Sequence, residues 1–228
     1  VWHHPRRTGT DPISRIKWRY RYCVPIAVTM GGLSGLGFAP YFVFPLAYLG
    51  LAAFAFLTRH SPSVLAAFVA GWAFGLGQFI VGLSWITESF AVEAEQFGML
   101  AWPAVTALST LLALFPASAA MTARYLGGSG PGTFFVLPAT WSIAEMARGA
   151  ILTGFPWNLI GYAWGFSDEV LQAISVTGIY GLGLLTVLLA ILPLLITEKY
   201  KLGRRSAALL LILVPTIAFA ALWTGGAL

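Results

Sequence analysis

The chain has 228 residues, of which 58% are hydrophobic and only 9% charged, against roughly 25% charged in an average soluble domain. A water-soluble fold of this size has no interior large enough to hide that much apolar surface, so the composition excludes a soluble enzyme and predicts an all-α polytopic membrane protein. The net charge of +5 does not read as nucleic-acid binding, because the charges sit in short gaps between long apolar runs and no RNA or DNA motif accompanies them.

Residues 1–21 form a basic arm holding Arg6, Arg7, Arg15, Lys17, Arg19 and Arg21, with His3 and His4 as a solvated pair. A helix needs about 20 apolar residues to cross the hydrocarbon core. The uncharged stretch from Tyr22 to Thr58 is long enough for two passes, broken in GFAPYFVFP (Gly37 to Pro45), where two prolines and a glycine disfavour continuous helix. Spans are expected at about 22–39, 42–58, 62–87, 97–123, 133–148, 170–197 and 206–224, with the loop GGSGPG before the fifth. The first apolar run is too long for a cleavable signal peptide. The first residue is Val1 and the last residues are GGAL, and both ends are expected to be cut ends of a longer chain.

Seven alternating spans with a cytoplasmic amino terminus place all but one of the 13 Lys and Arg on the inner side, including Arg59, Arg124, Lys199, Lys201, Arg204 and Arg205. Only Arg148 falls outside, with Glu88, Glu93, Glu95, Glu145, Asp168 and Glu169. That asymmetry is the positive-inside pattern, and it puts the carboxyl terminus on the periplasmic face. Counting 149–169 as a further span would move EKYKLGRR outward, so this segment is expected as a periplasmic loop that lies at the interface or dips in and returns. Its Trp157, Tyr162 and Trp164 suit the headgroup level.

The candidate chemistry is sparse. GGLSGLG (Gly31 to Gly37) sits inside a span with no strand before it, so it reads as helix packing rather than a dinucleotide loop, as do Gly71 and Gly75. Glu88 closes the third span and reads as an orienting charge. Glu145 and Arg148 are spaced i, i+3 and can face each other on one helix. They are either a charge pair marking a helix end or a functional site, since charge at membrane depth is costly and marks function by default. The only cysteine, Cys23, lies beside Arg21 at the cytoplasmic mouth of the first span with no acid or histidine near it in sequence, and reads as packing. His3, His4 and His60 have no carboxylate at zinc-site spacing, so no metal site and no cofactor are expected. No Ser-His-Asp set can be assembled, and no catalytic residue is assigned.

GFAP (Gly37 to Pro40), GLGQFIVGLSWI (Gly75 to Ile86), W-x3-E-x2-RG (Trp141 to Gly149), LTGFPWNLIGY (Leu152 to Tyr162) and GIYGLGLLTV (Gly178 to Val187) together resemble the apolipoprotein N-acyltransferase family. E-x2-RG-x3-TGFPW is the most specific block, and the resemblance runs from about Tyr22 to the end. It implies a multi-pass enzyme of the bacterial inner membrane that passes an acyl chain from a phospholipid to a cysteine thiol, and then to the α-amino group of the diacylglyceryl cysteine of an apolipoprotein. It also implies a Glu-Lys-Cys triad in an outward-facing nitrilase-like domain after the seventh span. No such triad can be placed here, so the chain is expected to be the membrane domain only, and inactive alone. The same resemblance implies that Glu145, Arg148, Phe155, Pro156, Trp157, Asn158 and Tyr162 line the place where the lipid substrates enter, with Arg148 meeting a phosphate, Glu145 holding Arg148 or meeting an ethanolamine, and Trp157 forming a lid or wall. The alternative is a small transporter or lipid-binding scaffold, which the missing triad and the proline-broken helices allow.

Overall fold

The protein, seen as a computed structural model, is described over residues 20–92, 94–151 and 154–226. The basic arm up to residue 19, with His3 and His4, lies outside the described residues, as do Glu93 and residues 152–153. The described residues contain helices and no strands. The first helix, α1 (Tyr20–Gly35), runs into the expected break, and α2 (Phe44–His60) starts after it with Pro45 in its first turn, where the missing N–H costs nothing. α3 (Val64–Gly82) is capped by the Ser63 hydroxyl, which accepts from the Ala66 N–H at 3.1 Å.

The third helix ends at Gly82 rather than near Thr87, and Ser84–Ala91 form a 3-10 helix instead. Here Ser84 and Thr87 turn their hydroxyls back onto the carbonyls of Val81 and Ser84, which offers the backbone an alternative to another α turn. The expected fourth span is a chain of pieces: α4 (Ala94–Phe97), a 3-10 turn Gly98–Leu100, α5 (Ala101–Leu112) and α6 (Leu114–Gly127). Then come α7 (Gly132–Ala150), the non-helical loop with a 3-10 turn at Ile160–Trp164, α8 (Asp168–Leu171), α9 (Ile174–Tyr200) and α10 (Arg204–Gly226). α9 bends where Gly178 adopts φ +65°, a conformation that costs glycine little.

By length and composition four stretches can cross a membrane: Val64–Gly82, Ala94–Gly127, Ile174–Tyr200 and Arg204–Gly226. The apolar stretch Tyr22–Gly35 is shorter, and α2 and α7 are not in that set. α7 carries Glu145 and Arg148 and turns them inward, so the bundle, not lipid, receives its polar groups.

Small residues bring the inner helices together. Gly31 lies against the backbone at Phe74 and Gly77 against that at Val28, with no room for a methyl group at either, so α1 and α3 pack backbone to backbone. Gly71 and Gly75 accept Ala120, Ala113 and Pro116 of the next helix in the same way. The packing reading of these glycines fits the structure. Large aromatics fill the spaces that remain: Phe54 meets Phe74 at 4.8 Å and the edge of Trp141 at 5.1 Å between ring centroids.

Two ends of the bundle can be told apart by their contacts. At one, Arg59 pairs with Glu198, and Arg124 donates to the Ser61 carbonyl. At the other, Asn158 reaches Gly82, and Trp85 lies beside Trp157. α10 stands on the flank with no buried residue of its own.

Candidate functional site

Two residues with positive φ shape the loop after α7. Gly154 has φ +83° and Asn158 φ +53°, in the left-handed region that glycine enters freely and asparagine tolerates best among the other residues. Pro156 between them fixes its own φ. The chain therefore turns sharply twice, and this brings the carbonyls of Phe155 and Trp157 back over the last turn of α7.

Arg148 receives them. Its Nη1 donates to the Phe155 carbonyl at 2.9 Å and to the Trp157 carbonyl at 2.5 Å, while its own carbonyl accepts from the Phe155 N–H at 2.8 Å. The guanidinium plane lies over the Phe79 ring, 5.1 Å from its centre. Glu145 sits one turn back with Oε1 at 3.7 Å from Arg148 Nη2. The same oxygen accepts the Ile160 N–H at 2.8 Å. Both side chains are almost fully buried, Arg148 at 2% exposure and Glu145 at 5%. The pair thus pins the loop at three backbone points, before and after Asn158. A third side chain closes the arrangement, because Asn158 Nδ2 donates to the Gly82 carbonyl at 2.9 Å at the end of α3.

The void between these groups is lined by Gln78, Phe79, Pro116, Trp141, Glu145, Arg148 and Asn158 and measures about 10 Å³. That is room for about one water molecule and no more. A lipid headgroup does not fit beside Arg148 in this arrangement, and the guanidinium already has internal acceptors. Glu145 lies 3.7 Å from Arg148 Nη2, and Arg148 Nη1 is taken up by two backbone carbonyls.

The remaining loop residues divide by exposure. Phe155 points inward and packs on the cluster Phe79, Leu83, Val105 and Leu112. Pro156 is exposed, and Trp157 and Tyr162 present 56% and 44% of their surface. Trp157 lies 5.7 Å from Trp85 between ring centroids. Trp164, expected at the headgroup level, is instead fully buried: its ring stacks near Phe44 at 3.9 Å, and its Nε1 donates to the Thr186 hydroxyl at 2.8 Å. A Trp buried in an apolar setting needs such a partner for its N–H, and Thr186 supplies it from α9. Within loop 149–169, Trp157 and Tyr162 are thus exposed while Leu159, Ile160, Ala163 and Trp164 are buried among the helices.

Sequence reasoning missed Trp85 as a neighbour of Trp157, and Phe79 and Gly82 as the floor of the site. The signal for Trp85 was present, an aromatic at the end of an apolar run. The roles of Phe79 and of the Gly82 carbonyl have no local signal, because they depend on how α3 lies against the loop. Cys23 is buried near the start of α1. Gly35 of that helix packs on Gly82, and about 18 Å of helix separates Cys23 from Gly35 at 1.5 Å per residue. Cys23 is thus far from the Arg148 site.

Residues 30–192 match the model of the apolipoprotein N-acyltransferase N-terminal domain. The chain is 36% identical over 212 residues to an apolipoprotein N-acyltransferase of Rhodopseudomonas palustris, covering 91% of this chain and 38% of that protein. It is 42% identical over 134 residues to that of Brucella suis, covering 59% of this chain and 25% of the relative. With the Rickettsia prowazekii protein of the same name the figures are 35% over 162 residues, 71% and 32%. The chain therefore spans well under half the length of these curated relatives.

Proposed function

Because this chain belongs to the apolipoprotein N-acyltransferase family and matches its N-terminal domain, we propose that it forms the membrane domain of an enzyme that moves an acyl chain from a phospholipid to the terminal cysteine of a diacylated apolipoprotein. The proposed setting is the bacterial inner membrane, crossed seven times, with the Arg59 end in the cytoplasm and loop 149–169 on the periplasmic side. Family membership favours this role over the transporter reading. The reacting groups are proposed to come from a nitrilase-like domain outside these 228 residues. Cys23 lacks the activated setting that a thiol nucleophile needs and lies at the wrong end of α1, so this chain alone is expected to form no acyl-enzyme.

Within that role the chain's own residues hold and shape the lipid entrance. Glu145 and Arg148 position the loop through backbone atoms. Trp157, Pro156 and Tyr162, with Trp85 beside them, offer the apolar surface along which an acyl chain enters. Phe155 and Asn158 anchor that rim to α3 and α5. The observation that carries this reading is Arg148 held on the carbonyls of Phe155 and Trp157, which fixes the exposed Trp157 ring rather than leaving it on a free loop. A positioned group reacts or binds far better than one that must be ordered first.

The test joins these residues to the remaining part of the Rhodopseudomonas palustris relative and follows acylation of an apolipoprotein by mass. Trp157→Ala is expected to slow transfer at least about tenfold with normal insertion and abundance, the loss of one aromatic contact. Activity falling only in step with protein level would make Trp157 structural and end the entrance reading. Alkaline phosphatase fused after Leu228 is expected to be active, and after Lys201 inactive. The reverse result would overturn the seven-pass orientation.

A further inference from the structure

At the Arg59 end a cleft of about 860 Å³ opens between α2, α9 and α10, lined by Arg59, His60, Thr197, Glu198, Lys201 and Leu211 among others. A second cleft of about 580 Å³ continues along α10, lined by Phe44, Tyr48, Ile212, Pro215 and Phe219. Leu211 borders both, and both run between α2 and α10, so the two are neighbouring stretches of the groove along the flank of the bundle. Both volumes lie in the range of small-molecule sites.

The groove has two chemically different ends. Its deep course is apolar, and it follows α10 from Ala207 to Phe219, about 18 Å at the helical rise. Its mouth is polar and carries more positive than negative charge: Arg59 pairs with Glu198 at 2.7 Å, and Lys201 has no such partner among the described residues. Arg204 and Arg205 stand exposed just beyond it. Lys201 is exposed at the end of α9, beside the Arg59–Glu198 pair.

We propose that this groove is a site for one anionic phospholipid of the bilayer, distinct from the entrance at Trp157. Its phosphate accepts from Arg59 and Lys201, and one acyl chain runs past Leu211 toward Pro215. An acidic headgroup such as phosphatidylglycerol suits the mouth, because a zwitterionic one brings an ammonium toward the same cations. No residue of α10 is fully buried, and a lipid in the groove joins it to α2, against which it has little direct packing.

The experiment uses the 228-residue chain, delipidated in detergent and mixed with equal amounts of dioleoyl phosphatidylglycerol or dioleoyl phosphatidylcholine, with bound lipid counted by native mass spectrometry. Phosphatidylglycerol adducts are expected to exceed those of phosphatidylcholine about tenfold, because only phosphatidylcholine brings a quaternary ammonium against Lys201 and Arg59. Lys201→Glu, an exposed change outside the packed helices, is expected to bring the two lipids level. Leu211→Trp, which fills the junction of the clefts, is expected to lower dioleoyl phosphatidylglycerol binding and to spare the dihexanoyl form, whose chains end before the junction. Leu211→Phe gives a milder reading of the same junction, with the same expected direction, should the Trp variant fail to fold. Equal binding of the two lipids, an unchanged preference in Lys201→Glu, or a lipid-free dimer that occupies the groove with a second copy would each overturn the proposal. Because acyl transfer is not the readout, failure here leaves the entrance at Trp157 untouched.

Discussion

The bundle holds two cross-element charge clusters that solve opposite problems. Around Arg148 nearly everything is closed: Glu145, two loop carbonyls, the Ile160 N–H and the Phe79 ring surround the charge, and only about 10 Å³ remains. Around Arg59 the pair with Glu198 is partly exposed, at 15% and 39% of their side chains, and faces a wide cleft. The first cluster spends its hydrogen bonds on the protein's own backbone and fixes a loop. The second is partly exposed and borders an open cleft, with the exposed Lys201 beside it. A charged residue at membrane depth is therefore not always a ligand site. What decides is whether its partners are internal.

That contrast can be broken in stages, starting where the effect is largest. Arg148→Ala leaves Glu145 buried and only partly compensated, so it is expected to destabilise the protein by about 3–5 kcal/mol, read as a loss of thermal stability in detergent. Arg148→Lys is expected to be nearly as damaging, because an ammonium lacks the planar fork that reaches two carbonyls and a carboxylate together. A Lys variant as stable as the native protein would show that a point charge suffices. Trp164→Phe removes the donor to Thr186 and is expected to cost about 0.6–2 kcal/mol, the range for hydrogen bonds between membrane helices. Asn158→Ala frees the Gly82 carbonyl and is expected to cost about 1 kcal/mol, and to lower acyl transfer in the restored enzyme by loosening the rim. Arg59→Ala is expected to cost about 1 kcal/mol or less, as partly exposed ion pairs do. If Arg59→Ala proved as destabilising as Arg148→Ala, the two clusters would not differ in kind. Smallest of all is Trp157→Ala, whose exposed ring is expected to change stability by no more than about 0.5 kcal/mol, while its effect on acyl transfer is large.

Much of the plan was legible from local chemistry. Pro45 and the Gly37 to Pro40 turn marked the break between α1 and α2, and the apolar runs marked helix positions, since each rests on the short-range rules of backbone and hydrocarbon. The small residues Gly31, Gly71 and Gly75 announced close packing without saying against what. The i, i+3 spacing of Glu145 and Arg148 put both on one face, which the helix repeat alone guarantees.

What the sequence by itself determined, then, was a membrane-embedded helical protein of the apolipoprotein N-acyltransferase family, with its distinctive segment at E-x2-RG-x3-TGFPW. Hydrophobicity, helical periodicity and glycine's backbone freedom act over a few residues, and composition records them directly. Only the tertiary structure decided that Trp157 faces out and Trp164 in, though both stand in the same aromatic stretch. It alone turned Arg148 onto the backbone of its own loop, ended α3 at Gly82, and left a groove beside α10. Each of these depends on which distant group arrives as a partner: Thr186 for one tryptophan, Phe79 and Ile160 for the charge pair, Leu211 for the groove. Burial and hydrogen-bond satisfaction belong to pairs of residues brought together by the fold, and no single stretch of chain contains them.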